Sequence, residues 1–225
     1  MGRYDRALSQ FSPDGRIFQV EYAQLASERG SPVIFCSDGK IISVAIEKRT
    51  DSKNRILSDQ DKLKEVEDGI YLSFAGISPD SMQIIDEAVH ISRRYSLTHG
   101  EKIDIRKLSL ELGDYMQKYT ITGGYRPFGV KIVLFGFDRT GPVISIVEPD
   151  GNYAMYSAGA IGQKSSKAVE ELETSRERNP TALVTRVLYN IAQKDPRKMT
   201  VYEIDEEKAK YLPISAISEI ISNFS

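Results

Sequence analysis

The chain has 225 residues, 40% hydrophobic and 28% charged, enough for a sizeable core in one large domain or two small ones. A net charge of −2 and a pI of about 5.8 exclude the basic field that attracts nucleic acid or acidic lipid. The single cysteine, Cys36, excludes an intrachain disulfide, and the two histidines, His90 and His99, have no Cys/His cluster beside them, so no metal site and no cofactor is expected.

The opening segment MGRYDRALSQ has no apolar h-region and reads as no secretory signal. No later apolar run approaches the roughly 20 residues that cross a bilayer, so no membrane partner is expected. Pro13-Asp14-Gly15 marks a turn. The residues after it predict a helix of about three turns, with Ile17, Val20, Tyr22 and Leu25 facing one way. Gly30-Ser31-Pro32 ends it. Residues 33–36 and 41–46 are apolar runs joined by Ser37-Asp38-Gly39-Lys40, which predicts a hairpin. Residues 48–61 read as loop, and 63–66 and 70–75 as two further strands.

Two helices follow. Ser78 is expected to cap the first, with Pro79 at its first position and a stripe of Met82, Ile85, Ala88, Val89 and Ser92. Asp104 is expected to cap the second, which carries Ile105, Leu108, Leu112, Tyr115, Met116 and Tyr119 at helical spacing. Gly123-Gly124 breaks the chain. Strands are predicted at 130–137, 143–147 and 153–157, then helices at 163–174 and from Asn179-Pro180, with Val184, Val187, Leu188 and Ile191 facing inward. A final strand at 199–204 precedes a short helix opened by Pro213. Strands and helices come in blocks, which argues for a layered α+β fold rather than a doubly wound parallel sheet. No long linker, repeat or low-complexity tract divides the chain.

Two segments carry a resemblance. Tyr4-Asp5-Arg6, then Phe11-Ser12-Pro13-Asp14-Gly15-Arg16, then Gln19-Val20-Glu21-Tyr22-Ala23 resembles the N-terminal signature of proteasome alpha-type subunits. Tyr119-Thr120 followed by Gly123-Gly124-Tyr125-Arg126-Pro127-Phe128-Gly129 is similar to a second run of the same family. The resemblance implies a four-layer α-β-β-α sandwich of N-terminal-nucleophile hydrolase type in its non-catalytic version. It divides the chain into a gate segment with its helix at 1–30 and a sandwich domain at 31–225. It implies a place in a seven-membered alpha ring of the 20S proteasome, stacked on a beta ring, in cytoplasm and nucleus. There the ring gates entry of unfolded protein, docks the C-terminal tails of regulatory caps and serves ubiquitin-dependent degradation.

Position by position, the resemblance implies gate residues Tyr4, Asp5, Pro13 and Tyr22. It implies an activator pocket of Gly30, Lys62 and Ile77, where an ammonium suits a tail carboxylate. It places Thr122, Gly123 and Gly124 at the axial constriction, where bare backbone leaves room for an extended chain. Tyr4-Asp5-Arg6-Ala7 leans toward the fourth eukaryotic alpha type, a run shared by archaeal alpha subunits. Residues 31–37 lack the small residues common there and the 174–180 connection is short, which favours a specialised position in a hetero-ring.

Two chemistries are weighed against this reading. Alignment on the catalytic beta subunits puts Ser31 at the nucleophile, Glu47 at the acid and Lys62 at the lysine. An active N-terminal-nucleophile peptidase would need cleavage before Ser31, because an internal serine has no free amine to take its proton. Pro32 also restricts Ser31 to extended angles, so no catalytic residue is expected. Residues 159–165, Gly-Ala-Ile-Gly-Gln-Lys-Ser, look like a phosphate loop but lack glycine before Lys164 and five residues earlier. A tight strand-to-helix turn is the expectation there.

Overall fold

Asp38 and Gly39 build the first hairpin as the sequence predicts. The Asp38 carboxylate accepts the amides of Lys40 and Ile41 at 2.8 and 3.0 Å, and Gly39 takes a left-handed φ of 88°. In this computed structural model, which describes residues 10–48, 62–192 and 194–223, the hairpin joins β1 (Val33–Ser37) to β2 (Ile42–Glu47). β2 continues onto β9 (Met199–Ile204), with Ile42 opposite Ile204, and β9 onto β10 (Ala209–Tyr211). On its other edge β1 pairs with β8 (Ala158–Ile161). The first sheet therefore runs β10-β9-β2-β1-β8, all antiparallel.

The second sheet is a meander in chain order: β3 (Lys64–Glu67), β4 (Ile70–Gly76), β5 (Val130–Asp138), β6 (Gly141–Val147) and β7 (Tyr153–Tyr156). Between β4 and β5 the chain makes α2 (Ser78–His99) and α3 (Ile105–Ile121). Between β8 and β9 it makes α4 (Ser165–Thr174) and α5 (Pro180–Ile191), and it ends in α6 (Ile214–Ser222).

Three apolar cores fix the layer order. Ile84, Ala88, Leu108, Leu112 and Met116 of α2 and α3 pack on Leu72, Ile132 and Leu134 of the second sheet. Val33, Phe35, Val44 and Ile204 pack across the middle on Tyr71, Val133, Phe135 and Ile144, with Phe35 and Phe135 edge to face at 5.7 Å. Ile34, Ala45 and Val201 turn to the opposite face, against Ala168, Val184, Val187 and Leu188. Alternate residues of β1 thus serve two cores, as period-two geometry requires. The product is helix layer, sheet, sheet, helix layer, the α-β-β-α sandwich. Each buried Leu, Ile or Phe contributes about 1.5–3 kcal/mol, so the middle core binds the two sheets strongly.

Several local expectations are corrected. α2 begins one residue early: Ile77 is its N-cap and makes no side-chain cap, because an isoleucine side chain has no acceptor to offer; its own amide donates to the Gly129 carbonyl at 3.0 Å. Met82 is exposed, and Ile84 and Ile91 take its place in the buried stripe. Residues 158–161 are strand rather than turn, so the tight turn shrinks to Gly162–Lys164. β9 is not the last strand; β10 follows it. The caps at Asp104, which accepts the Lys107 amide, and at Asn179, which accepts those of Thr181 and Ala182, stand as expected.

Candidate functional site

The described chain enters through a reverse turn. Ser12 is buried, its amide donates to the Arg16 carbonyl at 2.8 Å, and its hydroxyl accepts the Arg16 amide at 3.2 Å. Pro13 sits exposed at the tip, and Gly15 supplies φ 75°. Arg16 then grips Glu21 through Nε and one terminal nitrogen and lies 5.0 Å over the Phe18 ring. The hydrogen bond and charge of Glu21 raise the Arg16 pKa, and Arg16 lowers that of Glu21. Tyr22 stacks on Phe18 at 6.4 Å and stays 45% exposed. Of the four gate residues, Pro13 and Tyr22 are therefore set on one entry structure; Tyr4 and Asp5 lie outside the described residues.

The helix after this turn, α1 (Phe18–Glu28), does not bury its large residues. Leu25 and Tyr22 are exposed, and the inward face is Ala23 and Ser27. Small residues let the helix reach backbone. A Cβ on Gly30 would lie 2.1 Å from the Gly76 nitrogen, one on Gly76 would lie 2.2 Å from the Gly129 oxygen, and one on Gly162 would lie 2.8 Å from the Gly30 oxygen. The Gly30 carbonyl accepts the Gln163 amide at 2.8 Å, and the Gln163 side chain donates to the Arg29 carbonyl at 3.0 Å. α1 is thus mounted across the ends of β4, β5 and β8 by backbone contact.

A groove of about 400 Å³ opens beside this mount, lined by Tyr22, Leu25, Ala26, Arg29, Gly30, Gly76 and Ile77. Gly30 and Ile77 of the expected pocket share it, together with Tyr22 of the gate set. Lys62 is not among its lining residues. Its ammonium donates to the Ser31 and Phe74 carbonyls at 3.2 and 3.5 Å and lies 5.1 Å from the Phe74 ring.

Ser31 and Lys62 do meet, but through the Ser31 backbone. Ser31 is 3% exposed, Pro32 follows it, and the Pro32 carbonyl accepts the Glu47 amide at 3.1 Å. Lys164, the lysine of the phosphate-loop look-alike, donates to the Ile191 carbonyl at 2.7 Å and tethers the end of α5. Burial, then the nearby Asp38 charge, pushes the Cys36 thiol pKa up, which is the reverse of nucleophile activation. Among the described residues no group of three or more His, Cys, Asp or Glu is placed to hold a metal ion.

The second site is the loop after α3. Thr122, Gly123 and Gly124 are exposed, and Cβ atoms on either glycine would meet nothing within 4 Å. Behind them the aromatics interlock: Tyr119 packs on Phe128 at 4.4 Å and edge-on to Tyr125 at 5.5 Å. The Tyr115 and Tyr119 hydroxyls share a hydrogen bond of 3.1 Å. The loop's return is held by Asp80 of α2, which sequence reasoning did not single out. Its carboxylate takes both terminal nitrogens of Arg126, at 2.6 and 2.7 Å, and the Gly129 amide at 2.9 Å. Burial works against the charged carboxylate, but Arg126 and the Gly129 amide outweigh it, and the pKa ends below the ordinary range. A carboxylate in the first turn of a predicted helix was the available signal; its partner 46 residues on was not.

Two stacked antiparallel sheets between two helix layers, with the chain entering over one end of the sandwich, define the N-terminal-nucleophile hydrolase class of α+β fold. A family model described as proteasome subunit matches residues 28–206, and a second, described as the N-terminal signature of A-type proteasome subunits, matches residues 4–26. The chain belongs to the proteasome subunit family and carries its alpha-type signature. It is 33% identical over 204 residues to proteasome subunit alpha type-7 of Dictyostelium discoideum, covering 88% of this chain and 82% of that protein. It is 39% identical over 173 residues to proteasome subunit alpha of Saccharolobus solfataricus, covering 76% and 70%. Proteins of the same name from Saccharolobus islandicus strains match to the same extent. These relatives establish the alpha type and leave the particular alpha position undetermined.

Proposed function

We propose that this chain is a non-catalytic member of the proteasome alpha ring that gates substrate entry, docks regulatory caps and scaffolds assembly with alpha and beta neighbours. The observation that carries this reading is the entry structure. The Pro13 turn and α1 lie N-terminal to Ser31, the end of α1 and Gly30 are packed backbone to backbone on the sandwich, and Ser31 is buried within the chain. A serine so held has no free amine and no open approach, so the chain contributes geometry rather than bond cleavage.

In this reading Tyr4, Asp5, Pro13 and Tyr22 form the gate, Thr122, Gly123 and Gly124 the constriction, and Gly30, Lys62 and Ile77 the cap-tail pocket. The exposed Tyr22, Leu25 and Ile77 beside the groove suit a surface that neighbours cover. Cytoplasm and nucleus, and ubiquitin-dependent degradation, belong to the same proposal.

The test is the native mass of the complex carrying a C-terminally tagged copy, with intact masses of its components. Full-length chain beside processed beta-type subunits in one large particle is the expected result; chain clipped before Ser31 would reinstate the peptidase. Removing residues 1–10 is expected to raise peptide hydrolysis by the assembled particle, and an unchanged rate would remove the gate role. Lys62→Ala is expected to weaken cap binding without loss of assembly, read by cap titration.

A further inference from the structure

We infer that Asp80 is the positioning residue of the constriction loop, a role that rests on the reading of Thr122, Gly123 and Gly124 as the lining of the passage. The loop has one covalent exit from α3 and one return into β5. At the exit, the last helical hydrogen bond runs from the Thr122 amide to the Lys118 carbonyl at 3.0 Å. Cβ atoms on Gly123 and Gly124 would then meet nothing within 4 Å. The return is held by a carboxylate that is 8% exposed, against a guanidinium that is 57% exposed.

The geometry of that hold is specific. Arg126 offers a planar fork, and both of its terminal nitrogens bond the two Asp80 oxygens, while the Arg126 Nη1 also donates to the Pro127 carbonyl at 3.0 Å. Such a bidentate pair fixes the direction of Arg126 as well as its distance. Tyr125 is its chain neighbour, so the fork also sets where the exposed Tyr125 ring meets Tyr119. Asp80 further accepts the Gly129 amide, and the Gly129 carbonyl accepts the Ile77 amide, so helix start and loop return are tied at three points. The first turn of α2 therefore carries the groove residue Ile77 on one side and the loop anchor on the other. Neither Asp80 nor Arg126 lies in the groove or on the glycines that would meet substrate; they act through the loop they hold.

The experiment uses the assembled particle containing this chain, with Cys36→Ser and a nitroxide label on Thr122→Cys. Arg126→Gln is the first variant, because its side chain is largely in solvent and its loss leaves the sandwich intact. Losing charge-assisted hydrogen bonds is expected to raise the population of released loop by roughly tenfold or more, seen as a mobile component in the nitroxide spectrum. Arg126→Lys, which keeps charge but not the fork, is expected to fall between. Asp80→Asn is the second variant and should reproduce the Arg126→Gln spectrum. The same particles are given unfolded casein and a fluorogenic tripeptide, and the casein-to-tripeptide rate ratio is expected to shift. An unchanged spectrum in both variants overturns the inference. A mobile spectrum with an unchanged ratio upholds the anchor and overturns instead the assignment of this loop to the passage.

Discussion

Glycine does opposite things in two regions of this molecule. At the mount of α1, Gly30, Gly76 and Gly162 are present because other atoms already occupy the space a Cβ would need. At the loop after α3, Gly123 and Gly124 stand in open space. In the sequence both regions read as chain breaks. The difference is that one set of glycines makes a rigid contact, whereas the other leaves a surface bare for whatever passes it.

Substitution should separate the two. Gly76→Ala is the most severe change: it combines φ 130° with a Cβ placed 2.2 Å from the Gly129 oxygen. We expect a loss of about 3 kcal/mol or more, measured as a fall in thermal midpoint and in soluble yield. A midpoint within error of wild type would mean the mount is less tightly packed than its geometry states.

Acid should act on the loop and spare the mount. Asp80 has a folded pKa below its unfolded value, so its pairing with Arg126 is fully stabilising above the ordinary carboxylate pKa of about 3.9. That stabilisation is lost as pH falls through the lower, folded value. A label at Thr122 should therefore gain mobility below about pH 4, and Asp80→Asn should abolish the transition while leaving the α1 mount unaffected. Loss of both regions together in acid would deny the separation.

Gly124→Ala comes next. It meets no atom, but φ 91° costs an L-residue about 1–2 kcal/mol, to be read in the same unfolding experiment. Gly123→Ala has neither obstacle. Its effect on stability should stay within about 0.5 kcal/mol, while casein degradation responds because the lining has changed. A large stability loss there would show that the loop is buttressed by contacts beyond this chain.

What the sequence discloses follows the range of the forces involved. The 33–47 hairpin, the Asp104 and Asn179 caps and the inner face of α5 were legible, because each is decided within four residues by turn chemistry or periodicity. β8 was not, because its strand character comes from its partner: it pairs with β1, and the Phe35 ring fits against Gly159 because there is no Cβ there, which would lie 2.9 Å from the ring. β10 is three residues long with a charged middle and is a strand only by pairing with β9. At the candidate site, the reverse turn at Pro13 was legible from turn chemistry, and Tyr22, Gly30 and Ile77 line one groove. The Lys62 contact with the Ser31 carbonyl and the Asp80–Arg126 fork were not legible, since each joins residues that no local pattern relates. α1 misled for a related reason: its inward face is Ala and Ser, chosen for closeness rather than hydrophobicity.

The two sheets also differ in when they can exist. The second sheet is a meander whose five strands follow one another in the chain, so it can close on its own side as soon as residue 156 has been made. The first needs β2 to meet β9, with Ile42 waiting for Ile204. During synthesis the β1–β2 hairpin must stay with an unpaired edge and an unfinished core until β9 has been made. That interval, set by topology alone, is when an exposed strand edge is open to the wrong partner.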